Sequence, residues 1–309
     1  MPRFCHVWPV HLAFTIPPMI RTAFPERQAD AGRGAPLPIA RLDAAGLCGI
    51  FTDIDDTLTV AGKLPAAVYA ALEQLRDAGF AIVPVTGRSA GWAHMALHHW
   101  PVEAVVAESG GVCLYRDAGG VPRWLYHDEQ ARIADDRIRI AAVAEQVMSR
   151  VPGLVLADDN PFRLVDFALD HCETVPPVPR EQIEQAIAMF RDAGLQARAS
   201  SVHINVWRGD FDKAPMSLRY LEEVRGAIAT DEIARWLFVG DAPNDASMFA
   251  TFPCGVGVAN LAPLLDRLPV PPSFLTAASH GDGFRELAAH LLQAREAATG
   301  VARSPAPPS

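Results

Sequence analysis

Four stretches of this chain carry side chains that can do chemistry together: Asp53-Ile54-Asp55-Asp56-Thr57, Thr86-Gly87-Arg88, Lys213, and Gly240-Asp241-Ala242-Pro243-Asn244-Asp245. The three multi-residue clusters each follow a short apolar run, which places them at strand ends. In an open parallel sheet, ligands bind at the carboxyl ends of the strands, so clusters far apart in sequence would share one crevice. Such a crevice collects Asp53, Asp55, Asp241 and Asp245. That many carboxylates cannot share a site unless protons or a cation relieve their repulsion. Magnesium suits them, because it prefers carboxylates, carbonyls and water and often bridges to a phosphate. A phosphate is itself anionic, so both the metal and Lys213 would be needed to hold it. Asp53 would then attack phosphorus. Asp55 would protonate the leaving oxygen and later take a proton from water. Thr86 and backbone N–H groups near Gly87 would hold the transferring oxygens.

The elements that position these residues follow from the hydrophobic pattern. Gly49-Ile50-Phe51-Thr52 reads as a buried strand ending at Asp53. Residues 65–79 read as a helix with Val68, Leu72 and Leu75 on one face, Pro65 in the first turn and Gly79 at the stop. Ala81–Val85 is the next strand, which completes a βαβ unit. A third strand is expected at Ala104–Ala107. The pattern then changes. A hairpin is expected from Val112–Tyr115 and Arg123–Tyr126 around Gly119-Gly120. A long helix is expected over much of Gln130–Ser149, a strand over Arg163–Phe167, a helix carrying Ile183, Ile187 and Phe190, and a strand over His203–Trp207. Parallel-sheet grammar returns after Lys213. A helix is expected from Ala214 into Arg225, strands at Trp236–Val239 and Cys254–Val258, and a last helix over Gly283–Ala294.

At these residues the chain resembles the haloacid dehalogenase superfamily of phosphohydrolases. The resemblance covers roughly Gly46 to Leu292 and rests on the order and spacing of the four motifs. It implies an α/β fold, a Rossmann-like parallel-sheet core with an inserted α+β cap domain. The insertion lies between the threonine and lysine motifs, as in the type-two (IIB) subgroup rich in sugar phosphatases. The implied organisation is a loose extension over residues 1–45, a discontinuous core at 46–111 and 209–295, a cap at 112–208 and a disordered tail at 296–309. By position, Asp53 matches the nucleophile and a metal ligand. Asp55 matches the general acid/base and lends its backbone carbonyl to the metal. Thr86, Gly87, Lys213 and Asn244 match the phosphate-binding set. Asp241 matches the remaining protein ligand, and Asp245 completes the acidic metal cluster. Arg163, Asp166, His203 and Asn205, on or near the expected cap strands, are candidates for reading the leaving group. The implied cofactor is Mg2+, and the implied activity is hydrolysis of a small phosphate monoester, with a sugar phosphate as the favoured class. The sequence departs from the family's habits at Ala214-Pro215 after the lysine, at Ser109 after Glu108, and at Asp56.

Composition bounds the alternatives. Half of the chain is apolar, which is enough for a large core, and the formal net charge of −9 offers no electrostatic footprint for nucleic acid. The five cysteines are scattered and form no Cys-x-x-Cys pair, so reduced thiols and a cytoplasmic location are expected. No apolar run reaches the ~20 residues of a membrane helix. The expected partner is a small phosphorylated metabolite, with no nucleic acid and no membrane, and the chain is expected to act as a monomer or homodimer. A phosphomutase using the same aspartyl-phosphate, or a non-catalytic phosphometabolite-binding protein, stays open at this stage.

Overall fold

The computed structural model describes residues 35–227 and 230–300. The strands are β1 (Leu37–Pro38), β2 (Gly49–Thr52), β3 (Ala81–Pro84), β4 (Ala104–Ala107), β5 (Val112–Arg116), β6 (Pro122–Tyr126), β7 (Val155–Leu156), β8 (Phe167–Asp170), β9 (Gln196–Ala199), β10 (His203–Trp207), β11 (Trp236–Gly240), β12 (Cys254–Gly257) and β13 (Phe274–Leu275). The helices are α1 (Ala66–Asp77), α2 (Ala90–His99), α3 (Gln130–Arg150), α4 (Arg180–Asp192), α5 (Lys213–Arg219), α6 (Thr230–Ile233), α7 (Ala246–Thr251) and α8 (His280–Thr299).

Six strands form a parallel sheet in the order β1-β13-β12-β11-β2-β3. Its central strands are buried along their whole length, as a sheet covered on both faces requires. The alternation of side chains along β2 and β11 divides them between two cores. Ile50, Leu237 and Val239 face one layer with Val68 and Leu72 of α1 and Phe284 and Leu287 of α8. Phe51, Trp236 and Phe238 face the other with Met216 of α5 and Phe249 of α7. Gly49 allows the closest strand contact, because a Cβ there would overlap the Trp236 ring.

A second sheet, β7-β8-β10-β9, is antiparallel. It has a core of its own, in which Ile140, Ala144 and Val147 of α3 and Ala186 and Phe190 of α4 cover Leu169, Ile204 and Val206. A third sheet, β4-β5-β6, continues the parallel sheet through a bridge from Val85 to Val106. The hairpin assigned from the sequence to the cap therefore packs with the core. Val112 and Leu114 join one of the two sheet-face clusters and Cys113 the other. Pairing with β5 satisfies the backbone groups on the outer edge of β4.

Regular structure begins before the expected Leu47. Leu37–Pro38 pairs with β13, and Ile39, Leu42 and Ala44 are buried against α8 and its neighbours. The earlier part of the expected extension, residues 1–34, lies outside the described residues, as do residues 301–309 of the expected tail. The final helix runs on to Thr299. The expected strand at Arg163–Phe167 begins only at Phe167, because Arg163 to Asp166 bend around buried charges. The expected helix from Ala214 ends at Arg219 and gives way to a wider π turn over Tyr220–Val224. Among the described residues no helix is long and apolar enough to cross a membrane.

Candidate active site

The carboxyl ends of β2, β3 and β11 meet at one cavity. Its lining brings together Asp53, Asp55, Thr86, Gly87, Asp241 and Asn244 from the parallel sheet with Ser200, His203 and Asn205 from the antiparallel one. Lys213 reaches the floor from the start of α5. Its ammonium, 2% exposed, donates to Asp53 Oδ1 and Asp245 Oδ1, each at 2.6 Å. Burial pulls the Lys213 pKa down, but Asp245 and Asp53 outweigh burial and hold the amine charged. Asp212 caps α5 by accepting from the Lys213 N–H, which fixes where that side chain starts. Gly110, at φ +100°, passes so close to Asp212 that a Cβ would collide with the Asp212 carbonyl.

Asp53, Asp241 and Asp245 each offer a carboxylate oxygen within 4.8 Å of the others. With one ammonium among three carboxylates, two negative charges are left over. Burial, the Lys213 charge opposing it, pushes Asp53 up to about 7. Burial with the neighbouring Asp53 and Asp245 carboxylates pushes Asp241 up to about 9. A hard divalent cation would restore the balance, and an all-oxygen donor set fits magnesium. Asp53 and Asp241 are the side chains that would hold it. Asp241 Oδ1 has only a long contact from the Thr57 hydroxyl at 3.3 Å, while Oδ2 accepts an ordinary hydrogen bond from Asn260 Nδ2 at 3.1 Å. Asp245 is already engaged: Oδ1 takes Lys213, and Oδ2 takes the N–H groups of Asp241 and Ala242. It orients the lysine and the Asp241 loop from behind.

Thr86 Oγ1 accepts the Arg88 N–H, which shapes the turn after β3. Asn244 lines the cavity, and its buried Oδ1 has no protein partner. Both Asp55 oxygens accept from Arg88, at 2.8 and 2.9 Å.

The four residues expected to read the leaving group separate into two pairs. His203 and Asn205 line the cavity. Arg163 and Asp166 do not. The Arg163 side chain is fully buried in ion pairs with Asp159 and Asp166 and donates to the Gly87 carbonyl at 3.0 Å. Burial raises the Asp166 carboxyl to about 8, against the pull of Arg163. Asn205 Nδ2 also donates to the Gly87 carbonyl, at 2.9 Å, and to Asp166. Glu108 adds four backbone N–H groups to this seam, from Ala90, Leu164, Val165 and Asp166. The Thr86-Gly87-Arg88 turn is thus held from the antiparallel sheet by charges that face each other and not a substrate.

Two residues at the site carry no motif signal. Asn260 lies just past β12, and its Oδ1 accepts from the His280 N–H while Nδ2 donates to Asp241. Its place after a fourth parallel strand was the available clue. Glu173 follows β8 and pairs with Arg88.

Comparison with solved structures fixes the architecture. The model superposes on the C-terminal domain of trehalose-6-phosphate phosphatase from C. albicans with a TM-score of 0.61 at 14% identity, covering 80% of this chain and 93% of that one. It matches sucrose-phosphatase from Synechocystis at a TM-score of 0.56 and 18% identity, over 79% and 97% of the two chains. A subclass IIB sugar phosphatase of the haloacid dehalogenase superfamily matches at 0.54 and 15%, over 79% and 98%. The chain has the haloacid dehalogenase fold. Among curated proteins, a phosphoglycolate phosphatase from Archaeoglobus fulgidus is 27% identical over 237 residues, 77% of this chain and 93% of that protein. No family model matches. Within the haloacid dehalogenase fold, Asp53, Thr86, Lys213 and Asp241 stand at the mouth of the parallel sheet, where fold-level reasoning puts a ligand.

Proposed function

We propose that this chain is a magnesium-dependent phosphatase of small phosphate monoesters that works through an aspartyl-phosphate on Asp53. The observation that supports this most is the meeting of Asp53, Lys213 and Asp241 around one cavity that also holds Asp55 and Thr86. Lys213 keeps Asp53 oriented and offers positive charge to the phosphoryl oxygens. Thr86 and the Gly87 N–H cradle those oxygens. Magnesium, when bound, supplies charge neutralisation between Asp53 and the phosphoryl group.

In the first step, an Asp53 oxygen bonds to phosphorus as the phosphorus–oxygen bond to the leaving group breaks. Asp55 gives its proton to the departing oxygen. Both Asp55 oxygens are engaged by Arg88, so that pair has to part as substrate enters. In the second step, water gives a proton to Asp55 and its oxygen bonds to phosphorus. The bond to Asp53 breaks, and inorganic phosphate leaves.

The core runs over residues 37–126 and 209–299, and the segment from 127 to 208 acts as a cap that closes the cavity and selects the leaving group. The structural neighbours named for sugar phosphates and the relative named for phosphoglycolate mark the two classes to try first. The enzyme acts in the cytoplasm as a monomer or homodimer, in keeping with the unpaired cysteines among the described residues.

The test is magnesium-dependent phosphate release across sugar phosphates, nucleotides and phosphoglycolate, run beside Asp53→Asn. The variant keeps the shape of the side chain but loses the nucleophile. Its turnover should fall by a factor on the order of 10⁴ or more with the melting transition intact. Near-normal turnover would remove Asp53 from this role.

A further inference from the structure

One carboxylate in this part of the molecule has no place in the chemistry above. Glu173 stands in the loop after β8, and that loop is built to hold it. The carboxylate of Asp170 collects the N–H groups of Cys172, Glu173 and Thr174 and the Thr174 hydroxyl, at 2.6 to 2.9 Å. The Glu173 side chain then meets Arg88 Nη1 at 3.1 Å, Arg88 Nη2 at 2.8 Å and His203 Nε2 at 2.8 Å. His203, then Arg88, hold the carboxyl down at about 2 against partial burial. Arg88 and His203 both line the cavity, and among the described residues they are its cationic side chains on the side away from Lys213 in the floor.

We infer that Arg88 and His203 form a receptor for a carboxylate on the leaving group, and that Glu173 occupies this receptor until substrate arrives. The inference rests on the phosphatase reading and names its substrate class. Arg88 grips Asp55, the proposed proton donor, with the same guanidinium that grips Glu173. A carboxylate that takes the place of Glu173 on that guanidinium, once Asp55 has parted from it, lies beside an ester oxygen facing Asp55 and calls for a short leaving group. A phosphorylated 2-hydroxy acid meets this requirement. The neutral hydroxyls of a sugar do not replace an ionised carboxylate on a guanidinium, because charge-assisted bidentate pairs are roughly twice as strong as neutral hydrogen bonds.

Phosphoglycolate and 2-hydroxyethyl phosphate form the decisive pair, since they share length and ester and differ in a carboxylate against a CH₂OH. Wild-type kcat/KM should favour phosphoglycolate by about tenfold or more, the scale of one charged hydrogen bond. Glu173→Gln, which removes the competing charge, should widen that ratio, mostly through a lower KM for phosphoglycolate. His203→Gln should narrow it. Equal kcat/KM for the two esters, or a Glu173→Gln variant that slows both alike, overturns the inference and leaves the phosphatase reading standing. Calorimetric binding of the same two esters to Asp53→Asn with magnesium reads the receptor without turnover. If no ester releases phosphate, the phosphatase reading fails, while a binding preference for phosphoglycolate still supports the receptor and equal binding still refutes it.

Discussion

Lys213 shows how much a single side chain can hold in place. Buried between Asp53 and Asp245, it is the counter-charge that lets two carboxylates sit away from water, and in the proposed reaction it is also the positive end of the phosphate site. Removing one partner of a buried ion pair leaves the others uncompensated, which is where the large penalties of such pairs arise. Lys213→Met should therefore lower unfolding free energy by about 3 kcal/mol at pH 7 without magnesium, as read from urea denaturation. Turnover should be lost as well. A variant as stable as the parent would mean that Asp53 and Asp245 are relieved by other means. Most of the site was legible at this scale. Asp53, Thr86 and Asp241 announce themselves as polar residues directly after apolar runs, a local signal, while Asp55, Lys213 and Asn244 stand out only through the order and spacing of the motifs. Glu173 and Asn260 were not legible, because a lone Glu or Asn in a loop looks like any solvated turn residue.

Between elements, the seam that fastens the Thr86-Gly87-Arg88 turn to the antiparallel sheet is the least expected feature. Arg163, read from the sequence as a candidate for contacting substrate, spends its guanidinium on Asp159, Asp166 and the Gly87 carbonyl. Arg163→Met should cost about 3–5 kcal/mol, because Asp166 is then left buried without its partner. It should also raise KM for every ester by displacing Gly87. A denaturation curve together with two-substrate kinetics checks this, and an unshifted midpoint counts against it. Gly110 offers a second test at this scale. Ala there meets both a left-handed backbone and the Asp212 carbonyl, neither of which gives way easily. Gly110→Ala should destabilise by more than about 1 kcal/mol and lower kcat, since the shifted loop carries Lys213 with it. Unchanged kcat would detach the loop from the lysine.

For the molecule as a whole, the excess negative charge in the floor of the cavity couples folding to pH and to metal. Asp53 at about 7 and Asp241 at about 9 lie above the ordinary carboxylate range, so the folded state binds more protons than the unfolded chain. Their contribution is fully present below about pH 4, the unfolded value, and is lost as pH rises through 7 to 9. The metal-free protein should melt at a falling temperature across that range. On the proposed reading magnesium binds the ionised carboxylates of the folded state, so it should restore stability, more at pH 8.5 than at pH 6. Thermal melts with EDTA or with millimolar magnesium at both pH values decide this. A magnesium effect that is equal at the two, or larger at pH 6, would separate these carboxylates from the metal.

The amino-acid sequence by itself determined four of the six strands of the parallel sheet, β2, β3, β11 and β12, most of the helices and the acidic loops that follow β2, β3 and β11. Hydrophobic period and the residue after a strand are local properties, and burial acts on them wherever the chain goes. Only the tertiary structure decided which charges face each other. Arg88 and Glu173 are 85 positions apart, and Arg163 meets the carbonyl of Gly87 across 76. A buried charge takes whichever partner the packing of two sheets brings within reach. Packing likewise gave the hairpin after β4 to the core and paired Leu37–Pro38 with a strand more than 230 residues away.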